Sequence, residues 1–200
     1  SDKKLDEFKK YSNIPIINGL SPSSHPTQVL SDIFTIQEIK KKSISKLKLC
    51  WIGDANNNMM NSLIEACIKF SITLNIACPK IYQPNKALIS LIKKQKGKIK
   101  IFNKKELAIK NSDVVMTDKI ISLNDKVNKK NKINSFKNFK VDIKTMNLAK
   151  KDAIFLHCLP RGSEVTEEVF LGKKSKVWQQ ALNRVYVQKS ILLYCFGKLR

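Results

Sequence analysis

Phe155-Leu156-His157-Cys158-Leu159-Pro160-Arg161 closes an apolar run that begins at Ala153. A short run with apolar residues at successive positions reads as a strand buried on both faces of a parallel sheet. The polar pair and the proline mark where that strand leaves the sheet. The same apolar-then-polar pattern recurs upstream. Residues 47–52 end in Gly53-Asp54, residues 72–78 break on Pro79, residues 98–102 form a further run, and residues 113–117 end at Asp118. Between these runs lie segments with helical spacing. Residues 59–70 put Leu63, Ala66, Cys67 and Phe70 on one face, and residues 85–96, 104–110 and 142–149 fill the other gaps.

Five strands separated by helices predict an α/β fold, a doubly wound, Rossmann-like parallel sheet flanked by helices. Ligands of such sheets bind beyond the carboxyl ends of the strands. That places Asp54-Ala55-Asn56-Asn57, the segment from Asp118 to Ser122, and His157-Cys158 at one edge. The turn from Gly53 to Asn57 is not a G-x-G-x-x-G loop, so dinucleotide binding has little support.

The flanks read as follows. Residues 1–12 are polar and helix-compatible. Residues 14–19 form a short apolar strand ended by Asn18-Gly19. Residues 25–42 form a helix with Val29, Ile33, Ile36 and Ile39 at helical spacing. Residues 119–140 read as a long polar loop carrying Ser122, and residues 175–196 as a long terminal helix. The expected organisation is a linking segment and interdomain helix over 1–42, an α/β domain over 43–174, and a terminal helix over 175–200.

Composition narrows the function classes. The formal net charge is +22, but the basic residues are 35 Lys against 3 Arg, scattered along the chain. Base readers favour arginine forks and aromatic platforms, and neither is enriched. A solvated lysine surface without a specific nucleic-acid site is the expectation, although such a field attracts anionic ligands. No apolar run approaches the roughly 18 residues of a membrane span. The start, Ser1-Asp2-Lys3-Lys4, has no apolar stretch of the kind a secretory leader needs. The five cysteines have no C-x-x-C pair, so no zinc site is expected. Cys50, Cys67, Cys78 and Cys195 read as small core residues, and a reducing, cytoplasmic setting fits.

The chain has two histidines. His25 opens His25-Pro26-Thr27-Gln28, followed by Asp32 and Thr35. Pro26 suits the first turn of a helix, and there His25 and Gln28 can converge on one small polar ligand. Asn57 in Gly53-Asp54-Ala55-Asn56-Asn57 suits a helix cap as well as a ligand contact. Asp118 and Ser122, four residues apart, can hold an ammonium group. Arg184, in Ala181-Leu182-Asn183-Arg184, is a planar, always-charged fork in a chain that otherwise writes lysine.

Together these segments resemble the transcarbamylase family, the ornithine carbamoyltransferases in particular. His25 to Gln28 looks like the family's carbamoyl-binding segment. Gly53 to Asn57 with Asn61-Ser62-Leu63 is similar to its GDxNN…SL signature. Asp118 to Asn124 lines up with D-x-W-x-S-M-G, with Leu123 for Met and Asn124 for Gly. His157 to Arg161, followed by Glu164-Val165 and Glu167-Glu168-Val169-Phe170, is the most specific match. Ala181 to Arg184 resembles A-E-N-R, with Leu182 for Glu.

The resemblance implies transfer of a carbamoyl group from carbamoyl phosphate to the δ-amine of L-ornithine, giving L-citrulline and phosphate. It gives catalytic roles to Cys158, Asp118, Arg184 and His25. It makes Gln28, Asn57, Asp118, Ser122, Leu123, Cys158, Leu159 and Arg184 substrate-binding. It implies no metal, no organic cofactor and a homotrimeric whole protein. The family's S-x-R-T-R phosphate loop does not occur in this sequence. The expectation is therefore a chain carrying the carboxyl-terminal part of the family's protein. Its terminal helix would return toward a carbamoyl-phosphate domain supplied in cis or in trans, and alone it would be inactive. The altered Leu123-Asn124 pair leaves a sister enzyme open, with putrescine or an acylated ornithine as acceptor, and so does a non-catalytic amino-acid-binding domain.

Overall fold

The computed structural model describes residues 1–121 and 129–198. Five strands, β1 (Lys48–Ile52), β2 (Thr73–Ala77), β3 (Ile99–Phe102), β4 (Val114–Thr117) and β5 (Ile154–His157), form one parallel sheet in the order β3-β2-β1-β4-β5. Cys50 lies between Asn75 and Val115, and Met116 pairs with Leu156. The chain winds outward from β1 to β3, then returns to β4 on the other side of β1. The crevice beyond the carboxyl ends of β1 and β4 is thus the switch point, where the sheet leaves room for a ligand.

The strands bury both faces, and side-chain alternation sorts them into two cores. Leu49 and Trp51 of β1 pack with Leu74, Ile76, Met116 and Leu156. Against them lie Val29, Ile33 and Ile36 of α2 (Pro26–Lys40) and Met59, Met60, Leu63 and Ile64 of α3 (Asn58–Lys69). Cys50 and Ile52 point the other way and join Val115, Phe155, Phe136, Val141 and Phe170. Phe155 is wholly buried there; truncating such a side chain to alanine costs about 3–5 kcal/mol.

The remaining helices are α1 (Asp2–Tyr11), α4 (Lys86–Lys94), α5 (Lys105–Ile109), α6 (Lys129–Ser135), α7 (Ile143–Met146), α8 (Glu167–Leu171) and α9 (Val177–Cys195). Pro26 stands at the first turn of α2, and Lys41 closes it in the left-handed region at φ 48°. Asn57 caps α3 by accepting from the Met60 amide at 2.8 Å.

The α2–α9 interface is polar. Ser31 Oγ donates to the Gln180 carbonyl, Gln180 Nε2 to Asp32 Oδ1 at 2.7 Å, and Asn183 Nδ2 to Thr35 Oγ1 at 3.0 Å and Glu38 Oε2 at 2.9 Å. The outer side of α9 is apolar and exposed at Trp178, Leu182, Val185, Tyr186, Leu192 and Tyr194.

The expected sheet and helix order holds, with corrections at the edges. Residues 14–19 are not a strand: they pair with no neighbour, Pro15 has no N–H to donate, and Ile14 and Ile16 are exposed. The stretch 119–140 is not one loop, because α6 and a 3₁₀ turn at Lys137–Phe139 lie in it, with Phe136 driven into the core. The helix expected over 142–149 is the single turn α7, capped by Asp142 through the Thr145 amide at 2.7 Å. Phe70 is the exposed C-cap of α3 rather than part of its buried face. Cys195 sits partly exposed near the end of α9, whereas Cys50, Cys67 and Cys78 are core residues as expected. Among the described residues no helix is long and apolar enough to cross a membrane.

Candidate active site

A cavity of about 520 Å³ opens at the switch point. It is lined by His25 and Gln28 from the start of α2, Asn57 from the turn after β1, and Asp118 from the end of β4. Cys158 and Leu159 reach it from the end of β5, and Arg184 from α9. Seven residues spread from position 25 to position 184 thus meet at one site. Ser122 and Leu123 lie outside the described residues.

Each side chain is placed by local chemistry. Gly53 bends the chain after β1 at φ 145°, where an added Cβ would lie 3.2 Å from Thr117 Oγ1. Past it, Asp54 Oδ1 accepts from the Asn56 amide at 2.8 Å, and its other oxygen lies 2.6 Å from Lys132 Nζ of α6. Both side chains of that ion pair are almost wholly buried. Asn57 therefore has two tasks, lining the cavity and capping α3.

The segment leading into His25 is tied to α3. Asn58 Nδ2 donates to the Ser21 carbonyl, Asn61 Nδ2 to the Ser23 carbonyl, and the His25 amide to Ser62 Oγ at 2.9 Å. The Asn61-Ser62 pair of one motif thus holds the histidine of another.

The electrostatics suit a site that receives a polar ligand. Burial, then the charge of Arg184, lowers the His25 pKa, so the imidazole is neutral near pH 7 and presents one donor. Among the described residues, His25 Nδ1 and Arg184 Nε are buried without a hydrogen-bond partner. Burial raises the Asp118 carboxyl to about 6, against one backbone hydrogen bond from Lys119. Burial, then the neighbouring Asp118 and Asp32 charges, pushes the Cys158 thiol well above its ordinary range. A thiol held neutral in this way is a weak nucleophile.

His157 faces away from this chemistry. Its Nε2 lies 2.7 Å from Glu164 Oε1, which also accepts from the Gly162 amide at 2.6 Å. Phe170 meets its ring edge-on. Burial alone would raise the Glu164 pKa, but these hydrogen bonds outweigh it and leave the pKa lowered. The pair holds the turn that carries Cys158.

The cavity wall also includes residues not singled out in the sequence: Ser21 and Pro22, Asn56, Asn58, Lys119 and Pro160. Lys119 is hidden among the other lysines. Among the described residues no three His, Cys, Asp or Glu side chains cluster as metal ligands.

Residues 45–195 match the family model described as aspartate/ornithine carbamoyltransferase, Asp/Orn binding domain. Residues 1–38 match the one described as the carbamoyl-P binding domain of the same proteins. The chain is 42% identical over 207 residues to an ornithine carbamoyltransferase of Caldicellulosiruptor saccharolyticus, covering all of this chain and 66% of that protein. It is 40% identical over 196 residues to that of Staphylothermus marinus, covering 95% of this chain and 62% of the relative. The crystal structure of anabolic ornithine carbamoyltransferase from Campylobacter jejuni superposes with a TM-score of 0.90 at 40% identity, over 98% of this chain and 66% of that one. The chain therefore spans slightly less than two thirds of the length of these relatives, and it belongs to the aspartate/ornithine carbamoyltransferase family.

Proposed function

We propose that this chain carries the acceptor half, and part of the carbamoyl half, of an ornithine carbamoyltransferase site. The observation that supports this reading is the convergence of His25, Gln28, Asn57, Asp118, Cys158, Leu159 and Arg184 on one cavity. In the reaction, the lone pair of the neutral δ-amine of L-ornithine forms a C–N bond to the carbamoyl carbon. The C–O bond to phosphate breaks with its electron pair on the phosphate oxygen, and the proton given up by the amine passes to the departing phosphate.

His25 and Arg184 polarise the carbamoyl carbonyl and stabilise the charge that develops on its oxygen. Gln28 holds the carbamoyl amine. Asn57, Asp118 and Ser122 fix the amino-acid end, Cys158 with Asp118 steers the δ-amine, and Leu123 and Leu159 contact the acceptor's side chain. Rate enhancement comes from positioning and electrostatics. Transfer from a mixed anhydride to an amine moves no redox electrons, and this mechanism assigns no step to a metal or organic cofactor.

Residues 43–174 are the ornithine-binding domain. Residues 1–42 connect it to the rest of the carbamoyl-phosphate domain, whose family model residues 1–38 match, and residues 175–200 return toward that domain. The exposed apolar side of α9 and the 62–66% coverage of relatives support a site completed by further protein. A cytoplasmic homotrimer is the assembly that the family resemblance implies. No specific nucleic acid and no membrane takes part.

The test is citrulline formation from ornithine and carbamoyl phosphate. The 200-residue chain by itself should give none. The same chain joined to a family amino-terminal domain, in cis or as a second chain, should turn over. Robust turnover by the chain alone would show that the phosphate binds elsewhere. Leu123 and Asn124 depart from the family's Met-Gly, so putrescine and acylated ornithine belong in the same assay; a preference for either would reassign the acceptor.

A further inference from the structure

Asp32 lies beneath the cavity on α2, fully buried, and is not among the residues that line it. Its Oδ1 accepts two side-chain amides at once, Gln28 Nε2 at 2.8 Å and Gln180 Nε2 at 2.7 Å. Oδ2 is buried with no partner among the described residues. Gln180 Oε1 in turn accepts the His157 backbone N–H at 2.9 Å.

The orientation of this chain of bonds is forced. A backbone N–H can only donate, so Gln180 turns its oxygen to His157 and its NH₂ to Asp32. An ionised carboxylate can only accept, so Gln28 also turns its NH₂ to Asp32. A flipped Gln28 would set oxygen against oxygen in a buried site. The carbonyl oxygen of Gln28 is left over. It makes no hydrogen bond among the described residues, and Gln28 lines the cavity beside His25, Cys158 and Arg184.

We infer that Asp32 is a positioning residue that sets the polarity of the site. Its carboxylate locks Gln28 with an acceptor facing the ligand, and through Gln180 it holds the start of the His157-Cys158 turn. A fixed acceptor selects a ligand that offers N–H at that point and rejects an isostere that cannot donate. Resting on the carbamoyl-transfer reading above, the consequence is discrimination between carbamoyl phosphate and acetyl phosphate, which puts a methyl where the amine stands. Sites built to hydrogen-bond an N–H reject analogues lacking it far more strongly than apolar pockets reject a missing methylene.

Two measurements decide this. The first needs no turnover. Side-chain NH₂ signals of Gln28 and Gln180 are followed by NMR from pH 4.5 to 8 in the 200-residue chain. The charged groups near Asp32 are Arg184 from α9, Asp118 after β4 and the Cys158 thiol after β5. Burial raises Asp32 to about 6, and Asp118 lies at a similar value. Both amide signals should titrate together near that pH, keep doing so in Asp118→Asn, and stop in Asp32→Asn. Gln28 signals that ignore Asp32 overturn the inference, and the titration in Asp118→Asn, which removes the other carboxyl near 6, decides it even where Asp32→Asn does not fold.

The second measurement uses the assembly of the citrulline assay. Asp32→Leu removes the acceptor and frees Gln28 to turn over, so the preference for carbamoyl over acetyl phosphate should fall on the order of 100-fold, with the KM for ornithine little changed. A folded Asp32→Leu that keeps the wild-type preference overturns the inference, whereas Asp32→Asn, whose Oδ1 still accepts both amides, should keep it. A wild-type assembly that makes no citrulline refutes the carbamoyl-transfer reading instead, and leaves the NMR titration to decide the role of Asp32.

Discussion

Lys132 Nζ lies 2.6 Å from Asp54 Oδ2, and both side chains are all but sealed from solvent. The same ammonium sits 5.4 Å from the centre of the Tyr82 ring. One ion pair thereby ties α6 to the turn after β1 that carries Asn57. Removing either residue takes a buried counter-ion from the other. Asp54→Asn or Lys132→Met alone should each cost about 3–5 kcal/mol, and the double variant should cost less than the sum of the two. Urea denaturation of the four proteins measures this; simple additivity would show that the two groups do not act on each other.

Asp118 makes a stability prediction with a definite sign. Its carboxyl sits near 6 in the fold against 3.8 in the unfolded chain. Between those values the folded state binds more protons, so stability falls as pH rises through that window and the penalty is complete above about 6. Asp118→Asn should therefore stabilise the chain at pH 7.5, by at most about 3 kcal/mol, and the gain should shrink toward pH 4. If Asp118 holds the α-ammonium as proposed, the same change in the assembled enzyme should weaken use of ornithine far more than binding of carbamoyl phosphate, because that partner loses its charge. Equal effects on both substrates would count against the assignment.

Arg184→Lys keeps the charge and removes the planar fork. If Arg184 stabilises the carbamoyl oxygen, kcat in the assembled enzyme should drop on the order of 10²–10³-fold, the usual loss for one oxyanion donor. An unchanged kcat with a raised KM would make Arg184 a binding group only.

The charge of +22 predicts weak, sequence-independent DNA binding. Because such contact is lysine to phosphate, affinity should fall on the order of 10³–10⁵-fold between 50 and 200 mM salt. A thousandfold preference for one sequence at physiological salt would require a reading site that the scattered lysines do not provide.

The parallel sheet was legible because its strands are buried on both faces and each apolar run stops on a polar or proline signal, as at Gly53-Asp54 and Leu159-Pro160. Residues 14–19 misled because apolarity was read as pairing, and pairing depends on a neighbour that local sequence does not specify. Helix α6 was missed because its lysines and asparagines read as loop, while Phe136 and the buried Lys132 anchor the segment through tertiary contacts. Within the site, His25, Gln28 and Asp118 stood out as scarce chemistry in a lysine-rich chain. Asp32 did not stand out as more than a family match, because its importance is a geometric fact. It lies between Gln28 and Gln180, and the second of these is 148 positions away.

That separation bears on how the protein comes into being. Three polar groups of α2 have partners on α9, near the far end of the described chain. Until α9 is made, Asp32, Thr35 and Glu38 have water in place of Gln180 and Asn183. At about 5–20 residues per second, that interval is on the order of ten seconds. The sheet between them can collapse sooner, since its strand contacts are closer in sequence, and contacts of long range form late. The ribosome thus releases a chain whose core precedes its chemistry: the site is the last part of this fold to exist.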